Sequence, residues 1–462
     1  MFARMNRLWF LIPIALLAAT GCSTFRPANA PLDRIDLERG YRPERIARAR
    51  TLGEVTIALA FSGGGTRAAA LSYAVLLELR DTVVNIGGKR VRLLDEVDTI
   101  SSVSGGSFTA AYYGLFGDRI FEDFEQRFLK RNVARDLLLR LLQPQNLVRL
   151  ILPLFDRSEL AIDYYDEKIF DGARFADLEK AGGPLIQINS TDLSVGGKFT
   201  FIQPQFDLLC SDLSELEIAR AVTASSAVPV VFPPIVLKNY AGQCDYEKPK
   251  WLTEALTQRK TAPRRYHLAA EMNAYLDRDN NRYLHLVDGG IADNLGVRGP
   301  LDNMVEAGGM WSRFKALGTK PPRSVVFIVV DSSTSPNRSF VSVPGAPSLS
   351  TMIGSVSNTQ LHRYNFETKE LLLEKLEDWA SDMAAHGTTI TSHFIDLAEY
   401  EITDPADREF FNSVPTALAL DDETVDRVIA IGRRLLRESE AFKSLLVELQ
   451  AESPPQSDPT KP

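Results

Sequence analysis

The sequence is short of the residues that most often mark a catalytic or metal centre, with five histidines and three cysteines in 462 residues. No cysteine sits in a CxxC pair or a Cys/His cluster, which excludes a zinc site of the usual spacing. Dense lysine and arginine blocks are also missing, and 52 basic residues are outnumbered by 60 acidic ones for a net charge of −8. A chain of that balance lacks the electrostatic footprint of a nucleic-acid binder. The body has no apolar run of membrane length, so it is not a polytopic membrane protein. With 45% hydrophobic and 24% charged residues, the composition is that of ordinary globular proteins. It excludes a disordered chain, a collagen-like fibre and a coiled-coil rod.

The one long apolar run is N-terminal. Arg4 and Arg7 precede Leu8–Ala19, and small residues follow, which is the order of a secretory signal. Ala18-Ala19-Thr20-Gly21-Cys22 resembles the lipobox of bacterial lipoproteins, although Ala19 stands where that pattern more often has Leu. On this reading 1–21 is a signal peptide, Cys22 carries the lipid, and 22–50, with Pro27, Pro31 and Pro43 among charges, is a membrane tether. Ordinary signal cleavage and an uncleaved anchor are the alternatives. Ser23 in place of Asp favours the outer membrane, so the expected place is the bacterial cell envelope. Cys210 and Cys244 then face an oxidising compartment. They either close a loop of about 33 residues, worth roughly 3–4 kcal/mol, or remain two buried thiols.

From Val55 the pattern becomes that of alternating strands and helices. Val55–Phe61 is a continuous apolar run that suits a buried parallel strand, and Arg67–Leu79 after it reads as a helix. Further strands are expected at Val97–Val103, Leu185–Asn189, Phe199–Ile202, Leu284–Val287 and Ser324–Val330, with helices between. This predicts an α/β fold with a mainly parallel central sheet flanked by helices. The expected division is a catalytic domain at 51–335, a mainly helical part at 336–450 packed on it, and a disordered tail at 451–462. Within the first, 133–180 is a helical insertion. Its Leu-rich stretch Val133–Phe155, with Arg135, Arg140 and Arg149 interspersed, either faces lipid or packs on the core. Helical spacing recurs over Thr368–Met383 and Thr424–Leu449.

Three segments carry chemistry. Ser62-Gly63-Gly64-Gly65-Thr66-Arg67 joins a strand to a helix; consecutive glycines turn several N–H groups into one space at the positive end of a helix. No Walker lysine follows, which removes a P-loop reading. Ser102-Val103-Ser104-Gly105-Gly106 is a second strand-to-helix turn of the kind that holds a serine exposed, with Ser102 where Gly is usual. Asp288-Gly289-Gly290 follows a short apolar strand, at the edge where open α/β sheets bind ligands. Each alone has a bland reading, as a Ser/Gly-rich loop or an Asp opening a turn.

Together they resemble the patatin-like phospholipase family, in the family's order. Asn189-Ser190-Thr191-Asp192-Leu193 and Ala224-Ser225-Ser226-Ala227-Val228-Pro229, running into Phe232-Pro233-Pro234, also look like it, so the likeness covers Val55 to Val297. The resemblance implies the family's three-layer fold, with Ser104 as nucleophile, Asp288 as base, and Gly63, Gly64 and Gly65 as the oxyanion hole. It implies hydrolysis of phospholipid or lysophospholipid esters through a Ser–Asp dyad and an acyl-enzyme, with no cofactor and no metal. Arg67, one turn into the helix, either orients the loop, attracts an anionic head group, or is an ion-paired helix residue. The histidines His267, His285, His362, His386 and His393 sit in no catalytic context. A Ser-His-Asp hydrolase using His362, His386 or His393 remains an alternative, as does a non-catalytic lipid-binding lipoprotein. A nucleotide-dependent oxidoreductase has only the glycine loop in its favour.

Overall fold

The computed structural model describes residues 28–449 except 51–52, 151–154, 230, 337–340, 342–343 and 346–347. The expectations for 1–21, Cys22 and 451–462 fall outside the described residues.

Helix α1 (Pro43–Ala49) precedes β1 (Val55–Phe61). Along β1, Ile57, Leu59 and Phe61 join one buried cluster while Ala58 and Ala60 join another, as alternation dictates for a strand covered on both faces. α2 (Gly65–Asp81), β2 (Val97–Val103) and α3 (Gly105–Phe116) complete the first βαβ unit and the turn that leaves it. The insertion contains α4 (Val133–Leu141) and α5 (Pro144–Arg149), followed by α6 (Arg157–Lys168). Then come β3 (Leu185–Asp192), β4 (Gly197–Thr200), α7 (Ile218–Ser225), β5 (Ile235–Lys238), α8 (Pro263–Tyr275) and β6 (Tyr283–Val287). α9 (Gly290–Asp293), α10 (Arg298–Ala307), β7 (Ser324–Val330), α11 (Leu349–Ala385), β8 (Thr391–Leu397) and α12 (Asp422–Glu438) complete the main frame.

The eight strands form one sheet in the order β8-β7-β1-β2-β3-β6-β5, with β4 also paired to β3. From β8 to β3 all neighbours are parallel. Helices α2, α3 and α12 cover one face, and α10 and α11 the other, so the core is two apolar layers. α2 and α12 approach closely: a Cβ on Gly432 would lie 2.7 Å from the Ala74 Cβ.

The way β6 joins the sheet decides the site. It runs antiparallel to β3, pairing Leu286 with Asp192 and Val287 with Thr191. β4 holds the opposite edge of β3 at those same residues, so β6 occupies the edge that β2 leaves free beyond Val103. β2 and β6 therefore point at each other along β3, and the residues that follow them meet.

Two expectations change. The described part of the tether, 28–50, is stitched to the body. The Ile186 N–H donates to the Tyr41 hydroxyl at 2.7 Å, and buried Arg42 holds Asp207 through two hydrogen bonds at 2.6 and 3.1 Å. Its prolines and charges read as solvent-facing because their partners lie more than a hundred residues away. The C-terminal part also adds β8, a strand of the central sheet that alternation in Thr391–Leu397 only weakly signals. β5, only four residues long at the far edge of the sheet, is likewise not among the expected strands. Cys210 and Cys244 form a disulfide. In the insertion, α4 is tied to α6 by the Tyr164 hydroxyl on Asp136 at 2.7 Å, while Leu138, Leu139, Leu142, Leu147 and Val148 stay exposed.

Candidate active site

Ser104 stands between β2 and α3 with φ +50° and ψ −120°, a left-handed conformation that a non-glycine residue holds only where its surroundings impose it. Those surroundings are backbones in contact. A Cβ on Gly105 would fall 2.0 Å from the Gly65 carbonyl oxygen, and one on Gly106 would fall 2.7 Å from the Phe61 Cβ. Both positions therefore need glycine, and the glycine loop is brought against the serine turn. Ser102, at the position where glycine is usual, is fully buried and donates to the Gln187 carbonyl at 3.1 Å, so its hydroxyl has a partner and the turn keeps its shape.

The Ser104 hydroxyl donates to Asp288 Oδ2 at 2.8 Å, and the Gly290 N–H donates to Oδ1 at 2.8 Å. Ser104 and Asp288 are 7% and 9% exposed. Burial pushes the Asp288 carboxyl up to about 6 against the opposing pull of these two hydrogen bonds, and no cation touches it among the described residues. The Asp288 N–H donates to Ala227 O, the Gly289 N–H to Ser225 O, and Thr191 Oγ1 to Asp288 O, at 3.0, 3.0 and 2.9 Å. Ser225 serves both sides: it accepts from the Ser104 N–H at 2.9 Å and donates to Asn189 O at 2.6 Å. The stretches 189–193 and 224–229 are thus the shelf that fixes the serine and the aspartate relative to each other.

In the glycine loop, Gly64 and Gly65 have φ of +142° and +62°. Their N–H groups have no hydrogen-bond partner among the described residues. The Gly63 N–H is already engaged, donating to Asn294 O at 3.0 Å, so the expected set of three donors reduces to Gly64 and Gly65. The Thr66 N–H is likewise taken, by Ala417 O at 2.8 Å.

Of the readings open for Arg67, its contacts fit orientation of the loop, and the head-group contact is corrected. Arg67 is 4% exposed and spends its guanidinium on the Ser332 carbonyl at 2.9 Å, the Val414 carbonyl, and Thr416 Oγ1 at 3.1 Å. Burial lowers it to about 10. It pins the segment 414–417 across the glycine loop and is unavailable to a head group. Nothing in the local sequence signals this, because the acceptors, two backbone carbonyls and a threonine hydroxyl, lie 265 to 349 residues away in stretches with no motif of their own.

No histidine bonds Ser104 or Asp288 among the described residues. His393 Nε2 lies 2.8 Å from Glu448 Oε2, and the His386 ring stacks on Trp311 with centroids 4.7 Å apart. His285 is exposed on β6. Among the described residues no group of three or more His, Cys, Asp or Glu is placed to hold a metal, and no helix is long and apolar enough to cross a membrane.

The Patatin family, described as patatin-like phospholipase, matches residues 59–301. That span includes the glycine loop, Ser104, the Ser225 shelf and Asp288. No curated protein matches the chain's sequence. Among solved structures, the chain is similar to human GIVD cytosolic phospholipase A2, with 12% identity over 93% of this chain and 69% of that one and a TM-score of 0.47. It is also similar to the type III effector protein ExoU, with 15% identity over 86% and 77% and a TM-score of 0.19. With its family match spanning more than half of its length, the chain belongs to the patatin-like phospholipase family, the lipid acyl hydrolases.

Proposed function

We propose that the protein hydrolyses acyl esters of phospholipids or lysophospholipids through Ser104 and Asp288 as a dyad. The observation that carries this is the 2.8 Å hydrogen bond from the Ser104 hydroxyl to a buried carboxylate that has no cation and no histidine beside it among the described residues. Asp288 takes the proton as Ser104 Oγ attacks the ester carbonyl carbon. The oxyanion that forms is met by the Gly64 and Gly65 N–H groups; one such donor is worth about 3–4 kcal/mol in other hydrolases. The C–O bond to the alcohol breaks and the alcohol leaves with the proton from Asp288. Water, deprotonated by the same carboxylate, then releases the fatty acid and restores Ser104. Exposed Ile291 and Val228, next to Gly290 and Ala227, offer an apolar rim to a lipid.

The chain's place in this reading is the bacterial outer membrane, anchored by lipid on Cys22, with the exposed leucines of α4 and α5 laid on the bilayer. Metabolic labelling with a fatty acid, lost in Cys22→Ala, tests the anchor. The chemistry is tested by a fluorophosphonate probe on the chain lacking residues 1–22. Mass spectrometry should find the probe on Ser104 and find much less in Asp288→Asn. A folded protein left unlabelled, with and without lipid vesicles, would overturn the dyad.

A further inference from the structure

A cavity of about 660 Å3 lies between the β3–β4 turn, α8, α10 and α11, and neither Ser104 nor Asp288 lines it. Its size is within the ~300–1,000 Å3 usual for small-molecule sites. Leu301, Val305, Leu371 and Trp379 supply apolar wall, and charged side chains supply much of the rest. Most of those charges are engaged. Lys198 pairs with Asp302 at 3.4 Å and Lys375 with Asp378 at 2.5 Å, while Asp382 accepts the Trp311 N–H at 3.0 Å.

Two opposite half-buried charges are left over, since Arg264 and His267, which also line the cavity, are exposed. Arg298 lies over the Tyr364 ring, 4.6 Å from its centroid. Its Nε is sealed from solvent without an acceptor, and it has no ion-pair partner among the described residues. A buried guanidinium N–H left unpaired is costly unless something fills its place. Glu271, from α8, has no hydrogen bond or ion pair among the described residues, and its carboxylate lies where a Cβ on Gly197 would meet it at 2.6 Å. Burial and then Asp302 push its carboxyl up, and Lys198, His267 and Arg298, in that order, draw it down. Arg298 and Glu271 both line the cavity and form no ion pair with each other.

We infer that this cavity binds a small zwitterion, its oxyanion on Arg298 and its ammonium on Glu271. A cation alone would leave Arg298 unanswered, and an anion alone would sit against Glu271 and Asp302. A phospholipid head group and a free amino acid share this chemistry, and the apolar wall gives room to the glycerol stem of the former. The cavity lies behind the short helix that follows Asp288. Ala292 lines it and donates to Thr191 Oγ1 at 3.1 Å, the same hydroxyl that holds the Asp288 carbonyl.

The inference concerns binding and does not rest on turnover, so it is read on full-length Ser104→Ala. Calorimetric titration uses glycerophosphoethanolamine, β-alanine, inorganic phosphate and ethanolamine. At least one zwitterion should saturate the protein and bind about tenfold tighter than phosphate or ethanolamine, and Arg298→Gln and Glu271→Gln should each weaken it about tenfold. Tighter glycerophosphoethanolamine assigns a lipid head group, and tighter β-alanine an amino acid. Val305→Phe, which narrows the cavity and keeps both charges, should also weaken binding, and serves if a charge variant fails to fold. Phosphate binding as tightly as either zwitterion, binding unchanged in all three variants, or no saturable binding of either zwitterion would overturn the inference.

Discussion

Asp288 and Asp331 both follow a strand of the central sheet, both are buried, and they behave oppositely. Asp331 comes directly after β7 and receives the Lys369 ammonium at 2.8 Å, which also reaches Asp396 at 3.0 Å. Burial alone would raise the Asp331 carboxyl, but Lys369 together with hydrogen bonds from Ser333 outweighs it and holds the group below its ordinary value. Among the described residues Asp288 has only an N–H and a hydroxyl on its carboxylate, and burial carries it to about 6. A buried carboxylate beside a cation stays ionised and serves the fold. One without a cation is held near the point where it can take a proton, as a general base requires.

The largest effect that sharpens this contrast is on activity. Ser104→Ala and Asp288→Asn should each lower kcat/KM on a lipid ester by ~10³-fold or more. Asp288→Asn should at the same time stabilise the fold by about 1–3 kcal/mol in urea unfolding, since it removes a charge whose burial is unfavourable. Near-normal activity in that variant would break the comparison. Lys369→Met should do the reverse, losing about 3–5 kcal/mol because Asp331 and Asp396 are left buried without their cation. A midpoint within error of the parent would remove the structural half of the contrast. Replacing both Cys210 and Cys244 with Ser should cost roughly 3–4 kcal/mol and leave the pH profile where it was.

The pH profile itself is a smaller effect with a defined sign. Asp288 must be ionised to accept a proton, so kcat/KM should fall with unit slope as pH drops below about 6. Its folded value is raised above the ordinary 3.8. Between those two values the folded state binds more protons than the unfolded, and this group's contribution to stability declines as pH rises. An acidic limb near 4 would show that Asp288 is not the base. The smallest effect is none: activity should survive EDTA, and a loss that calcium restores would contradict catalysis by the dyad alone.

The legible parts of the site were those carried on short strand–turn–helix segments. Gly63–Gly65, Ser104 and Asp288 stand at turns rich in small residues, and the left-handed φ angles of Gly64, Gly65 and Ser104 are local demands, whereas the need for glycine at Gly105 and Gly106 comes from the approach of Gly65 and Phe61. The Ser225 shelf could be marked as a segment but not given a role, because its hydroxyl acts between Ser104 and Asn189, far apart in sequence. Arg67 was visible, with its role open between orienting the loop and meeting a head group, for the same reason: a guanidinium one turn into a helix looks free until the chain that covers it is in place.

Local sequence sets the alternation of strands and helices, the apolar layers they bury, and the turns at which Ser104 and Asp288 stand. Those follow from periodicity and from backbone geometry, which act over a few residues. Only the tertiary structure decided that β6 enters antiparallel beside β3, so that Asp288 meets Ser104 head to head. It also decided that Asn294 takes one of three loop donors, that segment 28–50 is part of the body, and that Asp288 has no cation while Asp331 has one. Each of these depends on which distant residue fills a buried space, and hydrogen bonds and desolvation are settled only when that space is closed.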